Sequence, residues 1–203
     1  MRGYLSRLFR PRRRPAQTRV KLAVVVGHNA RAKGAKSPWL DAEFDFNAVQ
    51  AQRIKDASLR SKVDVMIFYR TYGGGYVAEI ERVYDEVDAW GADYSVELHY
   101  NSARLEAQGT ETLRAPTSGS RRLAEAIHPQ VLRIFGRGDR GIKMLRKGKR
   151  GFHAVMAGRA PAIIIEPAFG SSEQGARSLK QNWPGFAPVL VREIEKLGKT
   201  IEV

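Results

Sequence analysis

The stretch VKLAVVV, residues 20–26, is followed directly by Gly27-His28-Asn29. This nearly unbroken apolar run, rich in β-branched residues and of strand length, predicts a strand that is buried on both faces. Such strands are typical of parallel sheets covered by helices on both sides. The predicted strand also carries an imidazole to its carboxyl end. His28 is therefore the first candidate for a functional residue.

The segments that follow alternate between helical and strand patterns. We expect a loop over residues 31–40, a helix over 41–60 that Asp41 caps, a strand at 63–69, a helix at 76–90 and a strand at 94–100. Further along we expect a strand at 110–114, a helix at 120–135, a basic loop at 137–150, a strand at 162–165 and a closing helix at 188–197. This order predicts a three-layer α/β fold, with a mostly parallel or mixed central sheet and helices on both faces.

The composition limits the classes of site and of domain organisation. A chain of 203 residues has room for one sizeable core, so we expect residues 20–203 to form a single catalytic domain. There is no cysteine, and any transition-metal site must therefore be built from histidine and carboxylate. No stretch approaches the roughly 18 apolar residues of a membrane helix, and no signal-peptide core follows the basic start. We expect synthesis in the cytoplasm without a classical signal.

The positive charge is concentrated near the amino terminus. Residues 1–40 contain eleven Lys or Arg and no Asp or Glu, and so account for eleven of the fourteen net positive charges. Residues 1–19 are expected to form a basic, flexible arm. Such an arm is usually an exposed, hydrated segment without a specific partner. Its charge would also attract an anionic envelope polymer or a nucleic acid.

Three candidate residues lie at the carboxyl ends of predicted strands, where ligands gather in α/β sheets. They are His28, His99 and Glu166, while Glu43 falls in the first turn of a predicted helix. Two imidazoles and one carboxylate are a suitable ligand set for a catalytic zinc ion with an open position. Taken singly, each of these residues also has an ordinary structural explanation, as a hydrogen-bonded histidine or as a carboxylate at a helix amino terminus.

Glu166 interrupts an apolar run, Ala162-Ile163-Ile164-Ile165. A carboxylate at the mouth of a buried strand is costly unless it is paired or takes part in chemistry. An ion pair is the structural explanation. Beside a metal site, the same group can accept a proton from water and return it to a leaving amine.

Four segments in order carry a family resemblance: Gly27-His28, Glu43, VELHYNS at residues 96–102 and PAIIIEPAF at residues 161–169. Together they resemble the zinc-dependent N-acetylmuramoyl-L-alanine amidases of the amidase-3 type, over roughly residues 21–197. The resemblance implies that His28, Glu43 and His99 bind Zn²⁺ and that Glu166 is the catalytic acid and base. It also leads us to expect that Asn101 binds substrate.

Further matches and two departures qualify this resemblance. Asn47 and the segment Gly109-Thr110-Glu111-Thr112 are similar to family features, whereas the usual Asp-Pro-Gly-His-Gly-Gly start is reduced to Val26-Gly27-His28-Asn29. Val96-Glu97 also differ from the family's common Ser-Ile. The implied reaction is hydrolysis of the amide between N-acetylmuramic acid and L-alanine in peptidoglycan, at the cell wall or in the periplasm. We expect a monomer, and a phage-type endolysin is one form that such an enzyme takes.

The remaining candidates are weaker. His128 precedes a proline within a helical pattern and is expected to be structural, and His153 is expected to be structural although it lies near the Glu166 strand. A nucleic-acid-binding protein that grips phosphates with its arm and with the basic loop at 137–150 is an alternative, although no recognised nucleic-acid motif is present. A metal-free relative that only binds cell wall is another.

Overall fold

A computed structural model describes residues 19–136 and 138–199, with no account of the Lys199 side chain. The strands of this part of the chain are β1 (Val20–Asn29), β2 (Val63–Arg70), β3 (Tyr94–Leu98), β4 (Thr110–Arg114), β5 (Asp139–Met144) and β6 (Ala162–Glu166). Its helices are α1 (Glu43–Ser58), α2 (Gly75–Trp90), α3 (Ser118–Phe135), α4 (Phe152–Met156) and α5 (Glu173–Lys199).

The strands form one mixed sheet in the order β2-β1-β3-β6-β4-β5. Strands β2, β1, β3 and β6 run parallel, so that their carboxyl ends share one edge of the sheet. Strand β4 is antiparallel to β6, and its amino end therefore lies at that same edge, with Glu111 directly opposite Glu166. Chemistry-bearing residues from both strand directions are thus brought to one edge.

Strand β1 is at the centre of two apolar layers. Leu22, Val24 and Val26 belong to the core under α1, α3 and α5, and Ala23 and Val25 belong to the core under α2 and α4. All five side chains are fully buried. This alternation is what a strand covered on both faces requires, and the predicted three-layer α/β architecture is confirmed.

Helix α1 begins differently from the prediction. It starts at Glu43, the cap position is Ala42, and no side chain caps it, so the expected cap at Asp41 is wrong. The first amide groups instead donate to loop carbonyls, from Glu43 N to Ala35 O at 3.0 Å and from Phe44 N to Lys33 O at 2.9 Å. The loop before the helix therefore satisfies donors that a cap residue would otherwise bind.

The predicted basic loop at 137–150 contains an edge strand, β5, which pairs in parallel with β4. None of its residues is fully buried, and an edge strand of this kind gains its order from backbone pairing, so it needs few apolar residues. The short helix α4 was also not predicted. The closing helix begins at Glu173 rather than at residue 188 and includes Pro184 and Pro188. Its buried apolar stripe outweighs the two missing amide donors.

The basic arm expected over residues 1–19 lies outside the described residues except for Arg19. The Arg19 guanidinium lies 2.5 Å from the Asp64 carboxylate and donates to Val63 O at 3.1 Å, on strand β2. In the part of the chain that the structure describes, no helix is long and apolar enough to cross a bilayer.

Two leucines allow the core to be tested with the same chemical change. Leu123 on α3 is fully buried, whereas Leu59, just after α1, is 73% exposed. We expect Leu123→Ala to lower the free energy of unfolding by about 2–5 kcal/mol, because it leaves a cavity. Leu59→Ala should change it by less than about 0.5 kcal/mol. Urea unfolding of both variants is the measurement, and equal losses would contradict the assignment of this core.

Candidate metal centre and active-site cleft

His28 occupies a bulge near the end of β1, where the pairing with β2 shifts register between Val26 and Asn29. Its φ angle is +68°, in the left-handed region, and it is the one non-glycine residue with a positive φ among those described. This conformation is disfavoured for residues with a side chain and indicates local strain. The Arg70 guanidinium, which donates from Nε to the His28 carbonyl at 2.9 Å, helps to hold it.

Glu43 connects the two histidines. Its Oε2 lies 2.9 Å from His28 Nε2, and its Oε1 lies 2.8 Å from His99 Nδ1. The carboxylate also accepts hydrogen bonds from Ala35 N at 2.9 Å and from Tyr100 N at 3.2 Å. Burial alone would raise the pKa of Glu43, but the facing imidazoles of His28 and His99 hold it well below its usual range. Glu43 is thus an ionised carboxylate at 2% exposure.

His99 follows the last residue of β3 and has a carboxylate at each ring nitrogen. Nδ1 faces Glu43, and Nε2 lies 2.9 Å from Glu97 Oε1. Burial disfavours the charged imidazolium, yet the hydrogen bonds to Glu43 and Glu97 outweigh it and raise the pKa of His99 to about 10.

The three predicted ligand residues form a group that could hold a metal ion, since one ligand atom from each lies within 4.8 Å of the others. His28 Nε2 is buried and makes no hydrogen bond of its own, although Glu43 Oε2 lies 2.9 Å from it. A Cβ added at Gly34 would lie 2.5 Å from His28 Nε2 and 2.6 Å from Glu43 Oε2. The donor set, the unsatisfied nitrogen and the space left by this glycine all fit a divalent cation such as zinc.

Glu166 and Asn101 line the same cavity as both histidines, a cleft of about 560 Å³. Burial raises the pKa of Glu166 to about 7, with the charge of His99 opposing the shift and the carboxylates of Glu111 and Glu43 adding to it. Near neutral pH both the protonated and the ionised form of this carboxyl group are therefore present. Such a group can both accept and donate a proton.

Glu111 anchors the wall beside Glu166. It accepts hydrogen bonds from Asn101 Nδ2 at 2.8 Å and from Arg140 Nε at 2.7 Å, and it contacts Lys143 Nζ. Burial raises the pKa of Glu111, but the bonds from Lys143, Arg140 and Asn101 outweigh it and lower the pKa below its usual value. Two cations of the predicted basic loop are thus engaged with this carboxylate.

The other two histidines do not line the cleft. His128 is buried and lies 3.0 Å from Thr112 Oγ1 and 2.9 Å from Asp139 Oδ1, which are contacts of a structural residue. His153 is exposed. The cleft is also lined by residues that are not among the candidates predicted from the sequence: Arg70, Tyr72, Tyr76, Glu79, Glu97 and Arg150.

Glu97 could have been found from its spacing to His99. Residues two apart on a strand point to the same face, so a carboxylate two positions before a candidate ligand is placed beside it. Arg70 also ends its strand at the edge where the candidate ligands gather. The aromatic and basic residues of loops and helix starts carry no comparable signal.

Gly27 offers a test of the space around His99. A Cβ added there would lie 2.5 Å from His99 Nε2 and 2.5 Å from the Leu98 carbonyl. We expect Gly27→Ala to displace the imidazole and to weaken zinc binding at least about tenfold. Gly185→Ala on α5 is the control, because nothing lies within 4 Å of the added carbon. The measurement is the zinc content of both variants after dialysis. An unchanged zinc content in Gly27→Ala would argue against the close packing of Gly27 on His99.

Glu111 gives an expected pH dependence of stability. Because its folded pKa lies below the ordinary value of 4.5, its stabilisation is complete above about pH 4.5 and is lost as pH falls through the folded pKa. We expect Glu111→Gln to cost about 1–3 kcal/mol at neutral pH and to make stability less dependent on pH below 4.5. The measurement is urea unfolding from pH 7 to pH 3. Exposed Glu125→Gln is the control, and parallel pH curves for Glu111→Gln and the parent would contradict the expectation.

Solved structures share this fold. The catalytic domain of CwlV, an N-acetylmuramoyl-L-alanine amidase from Bacillus (Paenibacillus) polymyxa var. colistinus, matches with a TM-score of 0.71 at 21% identity, covering 91% of this chain and 99% of that one. The N-acetylmuramoyl-L-alanine amidase AmiC2 of Nostoc punctiforme matches with a TM-score of 0.73 at 17% identity, covering 89% of this chain and 97% of that one.

Sequence comparison gives the family. N-acetylmuramoyl-L-alanine amidase LytC of Bacillus subtilis (strain 168) is 28% identical over 159 residues, which are 76% of this chain and 30% of that protein. This chain therefore spans less than a third of the length of that relative. A family model described as N-acetylmuramoyl-L-alanine amidase matches residues 22–183, well over half of the chain. The chain belongs to the N-acetylmuramoyl-L-alanine amidase family of the amidase-3 type.

Proposed function

We propose that this protein hydrolyses the amide bond between N-acetylmuramic acid and L-alanine in peptidoglycan, with Zn²⁺ held by His28, Glu43 and His99. One observation carries the proposal: the buried Glu43 carboxylate lies between two imidazoles, and both imidazoles line a cleft that Glu166 also lines. The family membership supplies the class of substrate. Zinc in such a site acts as a Lewis acid and lowers the pKa of water.

Glu166 is proposed as the group that moves the proton. Its carboxylate accepts a proton from the water that adds to the amide carbonyl, and its carboxyl form then donates that proton to the departing alanine nitrogen as the C–N bond breaks. The pKa of about 7 suits both steps, because neither form of the group is strongly favoured near neutral pH.

Asn101 is proposed to contact the substrate from the wall of the cleft. Its backbone is held by hydrogen bonds to Ala168 O and from Gly170 N, both at 2.9 Å, and its side-chain amide donates to Glu111. A residue held through its backbone N–H, its backbone carbonyl and its side-chain amide nitrogen has its carboxamide oriented in advance for a substrate hydrogen bond.

The place of action is part of the same proposal. We propose that the protein acts at the cell wall or in the periplasm, as a monomer, and the phage-type endolysin stays a prediction. A role for residues 1–19 at an anionic envelope polymer is likewise proposed on their charge alone.

The nucleic-acid alternative finds little support in the described residues. It requires the basic loop to present its cations to phosphates, and two of them, Arg140 and Lys143, are instead paired with Glu111, while Arg146, Lys147, Lys149 and Arg150 are exposed. The metal-free, wall-binding alternative is tested by the zinc content of the purified protein.

The decisive experiment compares release of stem peptides from isolated peptidoglycan by the parent and by Glu166→Gln. We expect the variant to keep its zinc and to lose about 10²–10⁴-fold in kcat, because general acid and base catalysis contributes that much. Exposed Glu106→Gln, outside the cleft, should stay within twofold of the parent. Removal of zinc by a chelator should abolish activity, and added zinc should restore it. Full activity of Glu166→Gln, or of the zinc-free protein, would contradict the proposal.

A further inference from the structure

Glu97 is a buried carboxylate that the proposed reaction does not use. It is the penultimate residue of β3 and is 1% exposed. Its Oε1 lies 2.9 Å from His99 Nε2, and its Oε2 accepts a hydrogen bond from the Tyr84 hydroxyl at 3.1 Å. A carboxylate buried to this degree needs partners for both oxygens, and here one of the two is a proposed metal ligand.

The two nitrogens of His99 have different neighbours. Nδ1 faces Glu43, which is one of the three candidate metal ligands together with His28 and His99. Nε2 faces Glu97, which is not one of them. An imidazole that binds a metal through one nitrogen carries its proton on the other, and the partner of that proton fixes both the tautomer and the ring orientation.

We infer that Glu97 is a positioning residue for the metal site: it accepts the Nε2–H of His99 and so presents Nδ1 to the ion. This inference rests on the zinc site of the proposed function. The carboxylate also makes the imidazole a better electron donor, because a negative partner on Nε2 raises the basicity of Nδ1.

Tyr84 fixes the other end of Glu97. Tyr84 belongs to α2, on the opposite side of the sheet from Glu43 and α1, and it is 1% exposed. A chain of hydrogen bonds from Tyr84 through Glu97 to His99 therefore connects the core under α2 to the candidate metal ligands. A rigid partner of this kind limits the positions that the carboxylate, and through it the imidazole, can adopt.

The test measures zinc affinity directly in the full 203-residue chain, by competition with a chromophoric chelator. Glu97→Ala is expected to bind zinc about 10–100-fold more weakly than the parent. Glu97→Gln preserves volume and one acceptor oxygen, so it guards against misfolding and should show a smaller loss. Glu193→Gln is the matched control, because Glu193 is a buried carboxylate on α5 that neither lines the cleft nor belongs to the candidate metal ligands. The zinc affinity of this variant should stay within twofold of the parent.

A second measurement separates positioning from a general packing effect. Long-range ¹H–¹⁵N spectra of the histidine rings should show His99 of the zinc-bound parent protonated at Nε2 and metal-bound at Nδ1. In zinc-bound Glu97→Ala the Nε2 proton of His99 loses its acceptor, so its signal should shift and should exchange with water faster than in the parent. A role in packing alone would lower thermal stability without changing this proton signal, and that result would overturn the positioning role.

The outcomes distinguish this inference from the proposed function. Zinc affinities of the folded Glu97 variants within twofold of the parent, or zinc bound at Nε2, would overturn the role of Glu97 and leave the zinc amidase proposal intact. A parent protein that binds no zinc would overturn both. A weaker zinc affinity together with the changed Nε2–H signal would support the inference, whatever the activity on peptidoglycan.

Discussion

The arrangement of this molecule depends on one buried anion. The Glu43 carboxylate is almost inaccessible to water, and a charge in that position must be satisfied by its surroundings. Two imidazoles and two backbone amides supply the contacts, and they come from β1, from the loop before α1, and from the residues after β3. These segments cannot move independently without leaving the charge unpaired. The contacts of the site therefore also hold the first helix against the centre of the sheet.

The direction of the strands explains why acidic groups gather beside this anion. Parallel β1, β3 and β6 bring His28, His99 and Glu166 to a common edge, and the reversed β4 adds Glu111 there. Glu111 is neutralised by its basic neighbours, whereas in the part of the chain that the structure describes Glu166 forms no ion pair with a basic side chain, and burial raises its pKa. Two neighbouring carboxylates are thus given different protonation behaviour by their surroundings.

Much of the fold could be predicted from the sequence, and so could the residues that the structure brings together as candidate metal ligands, because the sequence patterns that indicate them are local. The apolar run of β1, the periodicity of α2 and α3, and polar residues at strand ends each depend on a short stretch. The rest depended on tertiary contacts. Strand β5 is ordered by pairing rather than by apolar content, α5 passes through Pro184 and Pro188 because its buried face compensates, and the amide donors to Glu43 belong to residues that no motif marks.

The backbone of His28 carries a further consequence. Glycine would adopt a φ of +68° without penalty, so the residue that suits the chain at this point differs from the residue that suits the chemistry. The imidazole is retained at a conformational cost of the order of 1–3 kcal/mol, and its contact with the buried Glu43 carboxylate opposes that cost. A redesign guided by backbone conformation alone would place glycine here and would remove the residue on which the proposed activity depends.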